Sequence, residues 1–248
     1  MIVVGIDSSA KTAGVAVRQD GALLYESWLG TGFTHSETLL ELTDAALRAV
    51  RIAPLQVDVF AVTAGPGSFT GLRIGMALVK GLAAANSTPC VPVSTLHALV
   101  ESVDAAGLIV PAMDARRGEV YTAAFEKSAD GTLTRLRDDT AESAAAAVEF
   151  AAAWCAQHPG KTVTLAGDGA HLCHAAWLKR ANAGDHVHLA DADIRTRAAA
   201  AAARIGEQQA AQGLALPAGE LRPDYHRLCQ AERERAEREA AAEKNRTV

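Results

Sequence analysis

No stretch of this sequence is long and apolar enough to span a bilayer, and the N-terminus carries neither a basic leader nor an apolar segment behind one. We therefore expect a cytoplasmic protein with no membrane association. Its four cysteines, Cys90, Cys155, Cys173 and Cys229, lie far apart and form no C-x-x-C pair. That excludes a zinc knuckle and a disulfide framework, and leaves reduced, buried thiols as the expectation. An excess of basic residues is also missing. The net charge of −5 argues against a stand-alone nucleic-acid binder, which needs concentrated Lys and Arg to neutralise phosphates. Three catalytic signatures are absent as well: the lysine of a P-loop, the glycine fingerprint of a dinucleotide fold after the first strand, and the G-x-S-x-G elbow of a hydrolase. Finally, residues 231–248 balance acids with bases and hold no large apolar side chain before Val248, so a frayed, solvated helix is expected there.

What is present is ample core material, 49% hydrophobic over 248 residues, enough for one large domain or two lobes. The chain is organised around AGPGSFTGLRIGMALVKGLAAA, Ala64 to Ala85. Turn formers Gly65 to Ser68 follow the apolar run Val57 to Thr63, so a buried strand ends in a tight loop. Ser68 and Thr70 are candidate N-caps of a helix in which Leu72, Met76, Val79 and Ala83 share one face. Ile74, Leu78 and Leu82 make the other face apolar too, and only Arg73 and Lys80 carry charge. Gly71 with Gly75, and Ala77, Gly81 and Ala85, leave strips free of side-chain bulk. Such a helix is buried in its own fold or forms a subunit interface, and spacing weights the two equally.

Upstream, Met1 to Ile6, Ala13 to Val17 and Ala22 to Leu29 read as three antiparallel strands, with Asp7, Ser8 and Ser9 in the first turn. Thr34 with Glu37 fits a capping box for a helix whose apolar face holds Leu39, Leu40, Leu47 and Val50. Cys90 to Val93 is a further strand, and Ser94 caps a helix to about Val103. Leu108 to Met113 and Glu119 to Glu126 are strands flanking Asp114–Tyr121. Thr132 to Leu136 is a strand, Ala141 to Gln157 a helix, Thr162 to Ala166 a strand, and 198–212 a helix.

The opening order, three strands and then alternating helices and strands, resembles a lobe of the actin-like ATPase superfamily. The motifs GIDSS, GPGSFTGLRIG and DARRGEVY together resemble the bacterial TsaB (YeaZ) family across roughly residues 1 to 125, and Gly167-Asp-Gly-Ala170 and Arg222-Pro-Asp-Tyr-His-Arg227 look like its shorter signatures. The resemblance implies an α/β, actin-like (ribonuclease H-like) fold of two related lobes. Lobes at 1–104 and 105–194, a helical segment at 195–230 returning to the first lobe, and the tail 231–248 are expected. It further implies a non-catalytic partner of the transferase TsaD, joined by the ATPase TsaE, in making threonylcarbamoyladenosine in tRNA, with a homodimer possible in isolation and tRNA met through the complex. An autonomous enzyme of the same fold, a small-molecule kinase or a peptidase, is the alternative.

The candidate site residues follow. Asp7, Ser8 and Ser9 supply hard oxygen ligands suited to Mg²⁺ and nucleotide phosphate. A second phosphate loop is not recognisable at Asp114-Ala-Arg-Arg, so no intrinsic cofactor is expected, and ATP with Mg²⁺ binds only weakly or within the complex. TsaD holds a metal with Asn-His-x-x-x-His; the resemblance places Ser94, Thr95 and Leu99 there, so neither catalytic nor metal-binding residues are expected. His171, Cys173 and His174, and His186 with His188 near Asp191 and Asp193, have metal-like spacing without a completing pair, and surface histidines are the default. Arg116, Arg117, Glu119 and Tyr121 form a charged turn, either solvated or facing a partner or RNA. The partner interface is assigned to Gly71, Arg73, Ile74, Gly75, Leu78, Lys80 and Leu82.

Overall fold

The computed structural model describes residues 1–180, 184–191 and 197–226. The expected tail, Cys229, Arg227 and Asp193 lie outside them. Two five-stranded mixed sheets carry the fold. The first contains β1 (Ile2–Asp7), β2 (Ala13–Gln19), β3 (Ala22–Leu29), β4 (Val59–Gly65) and β5 (Cys90–Ser94), with α1 (His35–Ala49), α2 (Phe69–Ala84) and α3 (Thr95–Glu101) following β3, β4 and β5. The second contains β6 (Gly107–Arg116), β7 (Glu119–Lys127), β8 (Leu133–Ser143), β9 (Val163–Ala166) and β10 (Val187–Leu189), with α4 (Ala144–Gln157) and α5 (Ala170–Leu178) before β9 and β10. Helix α6 (Ala199–Ala211) is the last α-helix among the described residues.

The spatial orders are β3-β2-β1-β4-β5 and β10-β9-β6-β7-β8, one topology used twice. In each sheet the first three strands pair antiparallel and the last two add in parallel. This is the actin-like, two-lobed α/β arrangement. Strand β1 is apolar along its length because both faces are covered. Val4 and Ile6 join Leu39, Val62 and Met76 in one cluster, whereas Val3 joins Ala203 and Ile205 of α6 in another. Gly5 faces α6, where an added Cβ would stand 2.3 Å from the Ala199 carbonyl oxygen. Only glycine admits that helix so close to the strand.

Helix starts follow local chemistry. Ser68 Oγ accepts from Gly71 N–H at 3.2 Å, Ser94 Oγ from His97 N–H at 3.2 Å, and Ser143 Oγ from Ala146 N–H at 3.1 Å. The Glu37 carboxylate accepts from Thr34 N–H at 2.9 Å. Elsewhere tertiary pairing overrides propensity. Strand β8 runs to Ser143, well beyond Leu136, because its residues keep partners on β7, so α4 begins at Ala144 and not Ala141. Helix α5 is absent from the sequence reading: nine residues with little polar contrast around the helix give no clear period.

Among the described cysteines, Cys90 and Cys173 are buried, and burial pushes their thiols up to about 11 and about 12. Cys155 departs from the expectation, being only partly covered. No helix among the described residues is long and apolar enough to cross a membrane.

Candidate functional site

The loops at one end of both sheets enclose a cavity of about 450 Å³ between the lobes. The turn after β1 contributes Ser9 and Lys11, the loop into α2 contributes Ser68, the β6–β7 hairpin contributes Asp114 and Arg116, and the turn after β9 contributes Asp168. The Asp168 carboxylate accepts from Asp114 N–H at 2.9 Å. Burial first, and then the Asp114 charge, lift its pKa above the usual carboxylate value. Arg116 turns back on Asp114, its own N–H donating to Oδ1 at 2.7 Å. Arg116 and Arg117 both take left-handed φ, 68° and 59°, to form the hairpin tip ahead of Gly118.

Of the three residues expected to face a phosphate, only Ser9 lines this cavity. Asp7 is 2% exposed, and three donors converge on its Oδ1: Ser9 N–H at 3.0 Å, Ser9 Oγ at 2.6 Å and Thr63 Oγ1 at 2.8 Å. Ser8 is wholly buried and donates its hydroxyl to the Gly71 carbonyl at 2.8 Å. Both side chains tie the turn to β4 and α2.

Burial raises the Asp7 pKa despite those hydrogen bonds. The native state therefore holds the proton more tightly than the unfolded chain, and stability declines as pH rises from the ordinary carboxylate value through the raised one. Because one Oδ1 takes all three donors, Asp7→Asn keeps the hydrogen bonds and removes the buried charge. We expect stability at neutral pH equal to wild type within about 1 kcal/mol, or higher, and loss of that decline. Denaturant melts of both proteins from acid to neutral pH measure it; a large destabilisation at neutral pH refutes this account of Asp7.

The segment holding Asp224, Tyr225 and His226 borders the same cavity. The segment following α6 crosses the loop into α2, with Asp224 N–H donating to the Ala64 carbonyl at 2.7 Å. The Tyr225 ring stacks on Phe69 with centroids 4.7 Å apart, and its hydroxyl accepts from Arg73 Nε at 2.9 Å. The Arg73 guanidinium lies 3.9 Å over the Phe69 ring. Arg222-Pro-Asp-Tyr-His-Arg227 was legible only as a family signature, since nothing in its spacing tells which distant helix it will meet.

On α2 the assigned interface residues divide. Gly71 and Gly75 are buried against the chain's own first turn: an added Cβ would stand 2.0 Å from the Ser8 carbonyl oxygen and 2.3 Å from Ser8 Oγ. Their strip packs the fold and does not face outward, which corrects their assignment to the interface. Arg73 is exposed, while Ile74, Leu78, Lys80 and Leu82 are half-buried. The second strip is open, with Ala77 and Ala85 exposed and nothing within 4 Å of a Cβ at Gly81. Ile74, Leu78 and Leu82 thus form an apolar ridge beside a shallow, small-residue groove. Helix α1, packed alongside, leaves Leu40 55% exposed.

Thr95 and Leu99 are buried at 1% and 4%, Leu99 within the core cluster shared with α6. Ser94 Oγ donates to Asp139 Oδ2 at 2.8 Å, so its hydroxyl points at a carboxylate and not at an imidazole. Cys173 turns into the core away from exposed His171, and His186 lies one residue ahead of β10. No group of three His, Cys, Asp or Glu among the described residues is arranged to hold a metal.

A family model described as "TsaD: tRNA N6-adenosine threonylcarbamoyltransferase" matches residues 32–217. The Bacillus subtilis "tRNA threonylcarbamoyladenosine biosynthesis protein TsaB" is 34% identical over 142 residues, 56% of this chain and 61% of the relative. The Escherichia coli protein of the same name is 31% identical over 134 residues, 53% and 58% of the two chains. The match thus spans about three fifths of these relatives' lengths. An uncharacterized Mycobacterium tuberculosis protein is 34% identical over 171 residues, 68% of this chain and 73% of its own. Among solved structures, YeaZ from Pseudomonas aeruginosa superposes with a TM-score of 0.71 at 24% identity, covering 90% of this chain and 99% of that one. The superposition shows the fold; the family model, which matches well over half of the chain, agrees with the long motifs and the TsaB-named relatives, and the chain belongs to the TsaB (YeaZ) family, relatives of TsaD.

Proposed function

We propose that this chain is a non-catalytic subunit in the biosynthesis of threonylcarbamoyladenosine in tRNA, supporting a TsaD-type transferase that it meets through the exposed flank of α2. The observation that carries the non-catalytic part is the burial of Thr95 and Leu99: at the positions matched to the metal ligands of the transferase, this chain has a hydroxyl and an alkyl group in its core. Sequestration of Asp7 and Ser8 supports the same reading, because it takes away the oxygens that would face a nucleotide. ATP and Mg²⁺ then enter only at low affinity or inside the assembled complex. TsaE joins the pair, and tRNA is met by the complex. In this scheme residues 1–104 and 105–194 are the two lobes, 195–230 returns to the first, and 231–248 is a charged tail. The ridge Ile74, Leu78 and Leu82 is the contact for the transferase and, with lower affinity, for a second copy of this chain.

Reconstitution of tRNA modification from purified transferase, TsaE, threonylcarbamoyl-adenylate supply and tRNA, with and without this chain, tests the proposal. We expect modification only when the chain is present and no turnover by the chain alone. Undiminished modification in its absence, or transfer by the chain alone, overturns it.

A further inference from the structure

Strands β9 and β10 are parallel, so the end of the second sheet where they begin lies opposite the cavity between the lobes. Helices α4 and α5 finish there, and a separate cavity of about 360 Å³ opens between them. This is near the lower end of small-molecule sites, which run from roughly 300 to 1,000 Å³. Its charged lining has one sign: Lys161 and Arg180, with His158 and His186 beside them and no carboxylate among the lining residues described. Cys155 adds a thiol whose pKa burial raises.

Cations are favoured at the carboxyl ends of helices, which accounts for their presence in part. The helix ends are already served by the backbone, however. His158 N–H and Nδ1 both engage the Trp154 carbonyl, at 3.1 and 2.9 Å, and Arg180 N–H donates to Trp177 O at 3.0 Å. The counterions sit outside the cavity wall. Glu126 meets Lys161 Nζ at 2.6 Å, and Glu149, whose side chain is 67% exposed, pairs with Arg180. An incoming anion can replace both carboxylates. His186 stands edge-on to Trp177 with centroids 5.2 Å apart, and its Nε2 is buried without a hydrogen-bond partner.

We propose that this cavity is an anion site for a small phosphate monoester, with Arg180 and Lys161 neutralising the phosphate and the rings of His158 and His186 beside it. A doubly charged, multidentate oxyanion matches two cations better than a carboxylate does. The remaining volume is walled by Ala152, Ala156 and Trp177 and accepts a sugar-sized group.

The test is calorimetric titration of the full chain with inorganic phosphate, ribose 5-phosphate and AMP, followed in parallel by the NMR signals of the histidine rings. We expect saturable binding tighter than about 1 mM for at least one monoester, with shifts at His158 and His186 and none at His226 beside the other cavity. Arg180→Gln should weaken binding about tenfold or more, as expected on losing a charge-assisted contact. Glu149→Gln removes the competing carboxylate and should tighten binding several-fold, an outcome that a loss of folding does not produce. Melting curves for each variant check the fold. Absence of saturable binding, shifts confined to His226, or a Glu149→Gln protein that binds more weakly than wild type overturns the proposal.

Discussion

Leu78→Glu on α2 should lower the affinity for a TsaD-type partner by more than about a hundredfold while leaving the monomer folded. Leu78 is half-buried in the ridge between Ile74 and Leu82, and it already rests partly on its own core. In the free chain the longer glutamate reaches water along the helix surface. In the complex the carboxylate must be desolvated without a partner, which costs several kcal/mol, and each 1.4 kcal/mol is about tenfold in affinity. Pull-down and sedimentation measure association, and melting by circular dichroism confirms the fold. Modification of tRNA should fall in step. A folded Leu78→Glu protein that still binds the transferase and supports modification at wild-type levels removes α2 from the interface.

Gly75→Leu should fail for a different reason, by loss of stability. An added Cβ there would stand 2.3 Å from Ser8 Oγ, which is held in place by its bond to the Gly71 carbonyl at 2.8 Å. Neither the turn nor the helix can retreat without breaking that bond or opening the core behind Leu72 and Met76. Overpacking of this kind costs about 3 kcal/mol, which at this chain length lowers the melting temperature by roughly 10 °C. Gly81→Leu is the contrast: nothing lies within 4 Å of its Cβ, so the monomer should melt no earlier than wild type, helped by relief of about 1 kcal/mol of glycine cost. If the open strip faces the partner, Gly81→Leu should nevertheless weaken association. Equal melting temperatures for wild type and Gly75→Leu would show that the Ser8 contact does not constrain α2.

The two predictions separate what spacing left joined. Gly71 and Gly75, and Ala77, Gly81 and Ala85, look alike as repeats of small residues every four positions. The structure packs the first strip and leaves the second open, because the turn carrying Ser8 arrives on only one side of α2. No local feature of the helix encodes that arrival. It follows from β1 pairing with β4, whose partner residues lie more than fifty positions apart.

Elements with local causes were legible from residue order. Ser68, Ser94 and Thr34 with Glu37 mark helix starts because a side-chain oxygen or carboxylate satisfies a nearby backbone N–H within one turn. The three opening strands and the runs at β4, β5, β6, β7 and β9 were readable because apolar stretches bounded by turn formers favour extended chain. The long motifs also carried the family, since they place unusual glycines and hydroxyls where this fold crowds its backbone. What the sequence could not show was anything assembled from distant segments. The extra length of β8 depends on continued pairing with β7, and the placement of Tyr225 on Phe69 and Arg73 depends on a return across some 150 residues. Asp7 looked like a ligand because a carboxylate beside two serines has that chemistry in the open. Only the tertiary structure, by bringing Thr63 to its Oδ1 and closing the core over it, made it a buried brace of the first turn.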